Sequence, residues 1–142
     1  MIYGIGTDIT EVCRFRSWVK NPAMIARFFN EKERFPGICR ISVPVPDRQF
    51  SAACQHYAVR FAAKEAFAKA LGTGFSGFDL RDVFIERMPG GKPELRVQKM
   101  AAVQLQKKCG VCRLFVSLSH EKEFATAVVV IETGEKKYDT WC

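Results

Sequence analysis

A chain of 142 residues suits one folding unit, and its 48% hydrophobic content, with twelve Phe, can supply a real core. No stretch approaches the ~20 apolar residues of a membrane span, and the first residues lack the basic segment and apolar run of a secretion signal. A cytoplasmic location with reduced thiols is therefore expected. Twenty-two Lys plus Arg against 15 Asp plus Glu leave a net charge of +7. That surface draws anions, whether nucleic acid, anionic membrane, phosphorylated cofactor or acidic protein.

Ile2–Ile9 alternates apolar with small or polar residues, the period of a strand. Asp8 or Thr10 is then placed to cap a first helix running to about Lys20. Asn21 before Pro22 predicts a second helix over Pro22–Phe29, followed by the charged turn Asn30–Arg34. Gly37–Asp47, with Pro44 and Pro46, reads as a loop or insertion. Phe50–Leu71 lacks Gly and Pro, is rich in Ala and ends at Gly72, which predicts a long helix. Its apolar stripe is Ala53, Tyr57, Phe61, Ala68 and Leu71.

The glycine-rich loop Gly72–Gly77 follows that helix. Asp82–Met88 and Glu94–Val97 form a hairpin about Pro89–Pro93. Gln98–Lys108 is an amphipathic helix with Met100, Ala101 and Leu105 inward. Val111–Leu118 and Phe124–Glu132 are strands joined by 119–123, and Thr133–Cys142 is a polar tail. The chain holds no internal repeat, and helices mixed with antiparallel hairpins indicate an α+β fold.

Asp8 and Glu65 stand out as acidic residues beside apolar stripes. Glu65 and Lys69 read either as a surface i,i+4 ion pair or as part of a site, and Asp8 either as a helix cap or as a ligand. Mg²⁺ takes one or two carboxylates together with phosphate oxygens. Arg60, Lys64 and Lys69 would add positive charge from the same helix, and the loop's backbone N–H groups suit close approach to phosphate. The loop follows a helix instead of preceding one, so it is no P-loop. His120, in the link between the last strands, reads either as a bystander or as a base or phosphate ligand. Cys109 and Cys112 have CxxC spacing, read as ordinary thiols or half a zinc site, with no second pair to complete one.

Gly4–Ile9, Arg60–Gly74 and Val116–His120 together resemble holo-acyl-carrier-protein synthase, the small bacterial class of 4′-phosphopantetheinyl transferase. The resemblance spans nearly the whole chain and implies one domain with an antiparallel sheet packed on a long central helix. It further implies Mg²⁺ on Asp8 and Glu65, holding the pyrophosphate of coenzyme A. Arg60, Lys64 and Lys69 would serve phosphate or carrier binding, and Gly72, Thr73 and Gly74 would lie beside the nucleotide with His120. Catalysis would fall to Glu65, Lys69 and His120, the base being Glu65, directly or through a metal-bound water, or else His120. The implied reaction delivers phosphopantetheine to a serine of an acidic acyl carrier protein, in support of fatty acid biosynthesis. The family also implies homotrimers with active sites between subunits, Arg14 meeting the carrier, and no nucleic-acid partner. The chain departs from the family's pattern in its long 37–50 segment, in Val59 where a glycine is common, and in its tail.

Overall fold

Two glycines and a run of alanines decide how the chain packs. In the computed structural model, which describes residues 1–37 and 47–134, strand β1 (Ile2–Glu11) lies directly beneath the 25-residue helix α3 (Asp47–Leu71). A Cβ on Gly4 would overlap the Ala70 carbonyl, and one on Gly6 the Ala66 carbonyl. Only glycine permits that approach, and Ala62, Ala66 and Ala70 keep the helix side of the contact thin. Because Gly4 meets Ala70 and Gly6 meets Ala66, α3 runs antiparallel to β1.

Between them the chain makes a 3₁₀ turn (Val12–Phe15), one helical turn α1 (Arg16–Val19), helix α2 (Pro22–Phe28) and a second 3₁₀ turn (Glu31–Glu33). The expected first helix is thus present only from Val12 to Val19, as a 3₁₀ turn running into α1, and neither Asp8 nor Thr10 caps it. Instead β1 continues through Thr10 and Glu11, which pair with Ala125 and Phe124. Asn21 caps α2 as expected, its Oδ1 accepting from the Ala23 and Met24 N–H groups at 3.2 and 3.3 Å. Residues 38–46 of the expected loop and 135–142 of the tail lie outside the described residues.

After α3 come a 3₁₀ turn (Leu80–Asp82), the hairpin β2 (Val83–Arg87) and β3 (Pro93–Val97), helix α4 (Lys99–Cys109), and strands β4 (Cys112–His120) and β5 (Phe124–Thr133). The three-stranded sheet has the order β1-β5-β4, all antiparallel, and β2-β3 form a separate ribbon. Ala101 and Leu105 face the core as expected, but Met100 is exposed. The α+β architecture follows the sequence reading, with α3 at its centre.

The core divides along α3. Its C-terminal half packs with Val83, Ile85, Leu95, Leu105, Val129 and Ile131. Its N-terminal half packs with Phe15, Trp18, Val19, Ile25 and Phe29, an aromatic-rich cluster beneath α1 and α2. Burial of these large apolar side chains is the main stabilising term, worth about 1.5–3 kcal/mol each. Among the described residues no helix is long and apolar enough to cross a membrane.

Candidate active site

The glycine contacts set the register that builds the site. One pleat beyond Gly6, Asp8 projects toward the C-terminal half of α3, where Glu65 and Lys69 sit one turn apart. The Lys69 ammonium donates to Asp8 Oδ1 at 2.9 Å and to the Thr7 carbonyl at 2.9 Å. Its ion pair is therefore with Asp8 instead of its helical neighbour Glu65. Asp8 caps no helix; its own carbonyl accepts from Thr126 Oγ1 at 2.9 Å.

Glu65 is half-buried beside this pair. Burial, and then the Asp8 carboxylate, push its carboxyl above the usual range, against the opposing pull of Lys69 and Arg14. Two carboxylates from separate elements thus stand close enough to repel, with an ammonium already drawn between protein oxygens. A divalent cation fits this donor set, since it supplies a positive charge to both carboxylates, whereas Lys69 pairs directly with Asp8 alone.

The glycine loop leaves α3 at the same end. Gly72 (φ 81°) and Gly74 (φ 60°) adopt the left-handed conformation, Thr73 Oγ1 donates to the Gly74 carbonyl at 2.9 Å, and Gly72 and Gly74 are exposed. Seven residues of helix separate Glu65 from Gly72, about 10 Å along the axis.

Arg60 and Lys64 face the other way. Lys64 is 1% exposed, and its ammonium donates to Glu33 Oε2 at 2.7 Å and to the carbonyls of Leu80 and Val83. Its donors are occupied inside the fold, so the expectation that Lys64 contacts phosphate gives way to an internal role. Glu33 completes the arrangement by accepting from the Ile85 and Asn30 N–H groups at 3.0 and 3.1 Å. Arg60 is also buried; it donates to the His56 carbonyl at 3.2 Å, and burial lowers its pKa to about 10. The structure does not bring Arg60 or Lys64 to the Asp8–Glu65 pair.

His120 is not brought there either. It ends β4 instead of lying in a loop, and it pairs with Ala125, which in turn pairs with Thr10 of β1. The central strand β5 therefore separates it from the strand that carries Asp8, a spacing of about 10 Å across two ladders. The turn beyond it is held by Gln55, whose amide donates to the Glu121 carbonyl at 3.2 Å.

The sequence reading missed Glu33, although Asn30-x-x-Glu33 is a capping-box signature and the structure contains that box. The thiols of Cys109 and Cys112 are free, and burial raises both pKa values. Among the described residues no group of three His, Cys, Asp or Glu could hold a metal, so Cys109 and Cys112 meet no third ligand there.

A long helix laid across a glycine-bearing edge strand, with a carboxylate from each, defines the class of fold and site. The chain belongs to the 4′-phosphopantetheinyl transferase superfamily, whose model matches residues 4–129. It is 41% identical over 132 residues to a holo-[acyl-carrier-protein] synthase of Treponema denticola, covering 93% of this chain and 99% of the relative. Among solved structures it is similar to the holo-[acyl-carrier-protein] synthase of Neisseria meningitidis, with TM-score 0.72, 34% identity and coverage of 94% and 100% of the two chains. It is likewise similar to that of Bacillus anthracis, solved in complex with CoA (3′,5′-ADP), with TM-score 0.70, 32% identity and coverage of 94% and 99%.

Proposed function

We propose that this chain transfers 4′-phosphopantetheine from coenzyme A to a serine of apo-acyl carrier protein, as a Mg²⁺-dependent enzyme supporting fatty acid biosynthesis in the cytoplasm. The observation that carries the reading is the Asp8–Glu65–Lys69 cluster, built by the contact between β1 and α3 and lying within the matched family span. In the reaction the serine oxygen forms a bond to the β-phosphorus while the bond from that phosphorus to the bridging oxygen breaks. Adenosine 3′,5′-bisphosphate leaves, and the serine proton passes to a base.

Asp8 and Glu65 would hold Mg²⁺, which when bound supplies charge neutralisation for the pyrophosphate. Lys69 binds a phosphate oxygen from the same side, and Gly72, Thr73 and Gly74 present backbone to the nucleotide. Glu65 is the first choice of base, half-buried beside the Asp8–Lys69 pair. His120 is the second.

The active form is a homotrimer with sites between subunits. His120 stands two strands away from the Asp8 strand within one chain, and a neighbouring copy packed on this sheet could supply it to the Asp8–Glu65 pair. The sheet face turned away from α3 also exposes Ile5, Ile9, Phe115 and Val128, an apolar surface that monomers seldom leave uncovered.

Incubation with coenzyme A and apo-acyl carrier protein should add the pantetheine arm, read as the mass of the carrier. Mg²⁺ should be required, and Glu65→Gln should reduce the rate at least a hundredfold. An inactive wild-type enzyme, or a Glu65→Gln variant at full rate, would refute the assignment.

A further inference from the structure

The proposed reaction leaves Cys109 and Cys112 without a role. Cys109 is the last residue of α4 and Cys112 the first of β4. Between them Gly110 takes φ 64°, a conformation that glycine adopts readily because it has no Cβ. The turn is pinned on both sides. The Gly110 N–H donates to the Gln106 carbonyl at 2.8 Å, and the Val111 carbonyl accepts from the Gly134 N–H at 3.0 Å. Cys112 itself pairs with Thr133 of β5.

Both thiols are free and half-buried, and both pack against the apolar cluster that holds Ala101, Leu105 and Ile131. They stand near enough that charge on Cys112 is felt at Cys109. Burial raises both above the ordinary thiol range, while Lys108 and the Tyr3 hydroxyl pull Cys109 back in part. Cys109 also lies at the negative end of α4, where a thiolate is disfavoured. A CxxC pair at a helix N-terminus is held reduced by its stabilised thiolate. This pair has no such hold, and that favours the disulfide.

We propose that Cys109 and Cys112 form a site for thiol–disulfide exchange with small-molecule disulfides, closing a reversible bridge that fastens the end of α4 to the start of β4. One cysteine, as thiolate, attacks a sulfur of the incoming disulfide, releasing one thiol and leaving a mixed disulfide. The other then attacks the protein sulfur of that adduct and releases the second thiol. Two protein S–H groups are oxidised to one S–S bond, the small disulfide is reduced to two thiols, and the two protons pass to the released sulfurs. In a reducing compartment the bridge closes only when the ratio of disulfide to thiol rises. Because folding holds the two thiols together, closing the bridge stabilises the fold in return, so stability comes to depend on that ratio.

The test incubates the whole protein with hydroxyethyl disulfide and mercaptoethanol at set ratios in mildly alkaline buffer, followed by acid quench, alkylation and tryptic digestion. Lys108 and Arg113 flank the pair, so cleavage after each releases residues 109–113 with both cysteines on one peptide, apart from the other four. That peptide should be recovered unalkylated and two hydrogens lighter than its dithiol form. In the folded protein, closure should withstand a value of squared thiol over disulfide about tenfold higher than in the urea-unfolded chain. The oxidised protein should melt above the reduced one, a difference that Cys112→Ser abolishes. A peptide alkylated at both cysteines, an adduct arrested on one of them, or equal closure in folded and unfolded chains would overturn the proposal. The peptide map is read on the unaltered chain, so it decides even if the Cys112→Ser variant fails to fold.

Discussion

Replacing Lys64 by Met should unfold the protein more readily before it affects cofactor binding. Lys64 and Glu33 form an ion pair at 2.7 Å with side-chain exposures of 1% and 0%. Glu33 keeps its two backbone donors in Lys64→Met, but its carboxylate loses its directly bonded counter-charge and retains only the field of Arg60. Breaking one side of a buried pair costs about 3–5 kcal/mol, roughly a fifth or more of the ~5–15 kcal/mol that holds most domains together. A fall in Tm of roughly 10 °C follows for a chain of this size. The assay is urea unfolding by circular dichroism, with coenzyme A titrated into protein that remains folded. Pairing Lys64→Met with Glu33→Leu should restore only part of the loss, because the Ile85 and Asn30 N–H groups and the buried Arg60 guanidinium then lose the Glu33 carboxylate. A Lys64→Met protein with native stability but no affinity for coenzyme A would refute the reasoning and return Lys64 to the phosphate site.

His56 should make the fold acid-sensitive. Burial, reinforced by the Arg60 charge, lowers its pKa from 6.5 to about 4. The unfolded chain then binds the proton first, so stability is fully present above pH 6.5 and is lost as pH falls toward about 4, by up to about 3 kcal/mol. His56→Gln should flatten that window in unfolding curves measured across it, and an unchanged slope would exclude His56 as the cause. Gly6→Ala should cost about 1–3 kcal/mol or more by pushing α3 away from β1. The same variant should lose activity at temperatures where it remains folded, since Lys69 and Asp8 are joined through that contact.

The long helix, the β2-β3 hairpin and the last two strands were legible because each carries its own period and its own stop signal. Asp8 and Glu65 stood out as carboxylates beside apolar residues, yet spacing alone read them also as a helix cap and an ion pair, and only the resemblance implied a metal pair. What escaped the sequence was long-range. Thr10 and Glu11 were read into a helix, yet pairing with Ala125 and Phe124 of β5 extends the strand, a ladder formed with residues more than a hundred positions away. Lys64 and Lys69 are indistinguishable by type, and only the placement of Glu33 and of Asp8 sends one ammonium inward and the other to the site. His120 was read in a link, but the ladder with β5 continues to it. The glycines of β1 and the alanines of α3 were visible separately, and only their mutual contact explains both.

That contact also brings Asp8 and Glu65 together, and the protein should carry a measurable cost for it. Glu65 holds its proton more tightly when folded than when unfolded, because of burial and the neighbouring Asp8. Its contribution to stability is therefore greatest below the ordinary carboxylate range and is lost as pH rises through the raised folded value. At neutral pH the two carboxylates oppose the fold, and Glu65→Gln removes one charge while keeping the shape. In chelator the variant should melt slightly above the native protein, by less than about 1 kcal/mol since Glu65 is partly solvated. With Mg²⁺ added, the native protein should gain stability through linkage and the variant should not. Differential scanning calorimetry with and without Mg²⁺ reads both effects. A variant that melts lower in chelator, or keeps the full response to Mg²⁺, would show that Glu65 serves packing and not cation binding.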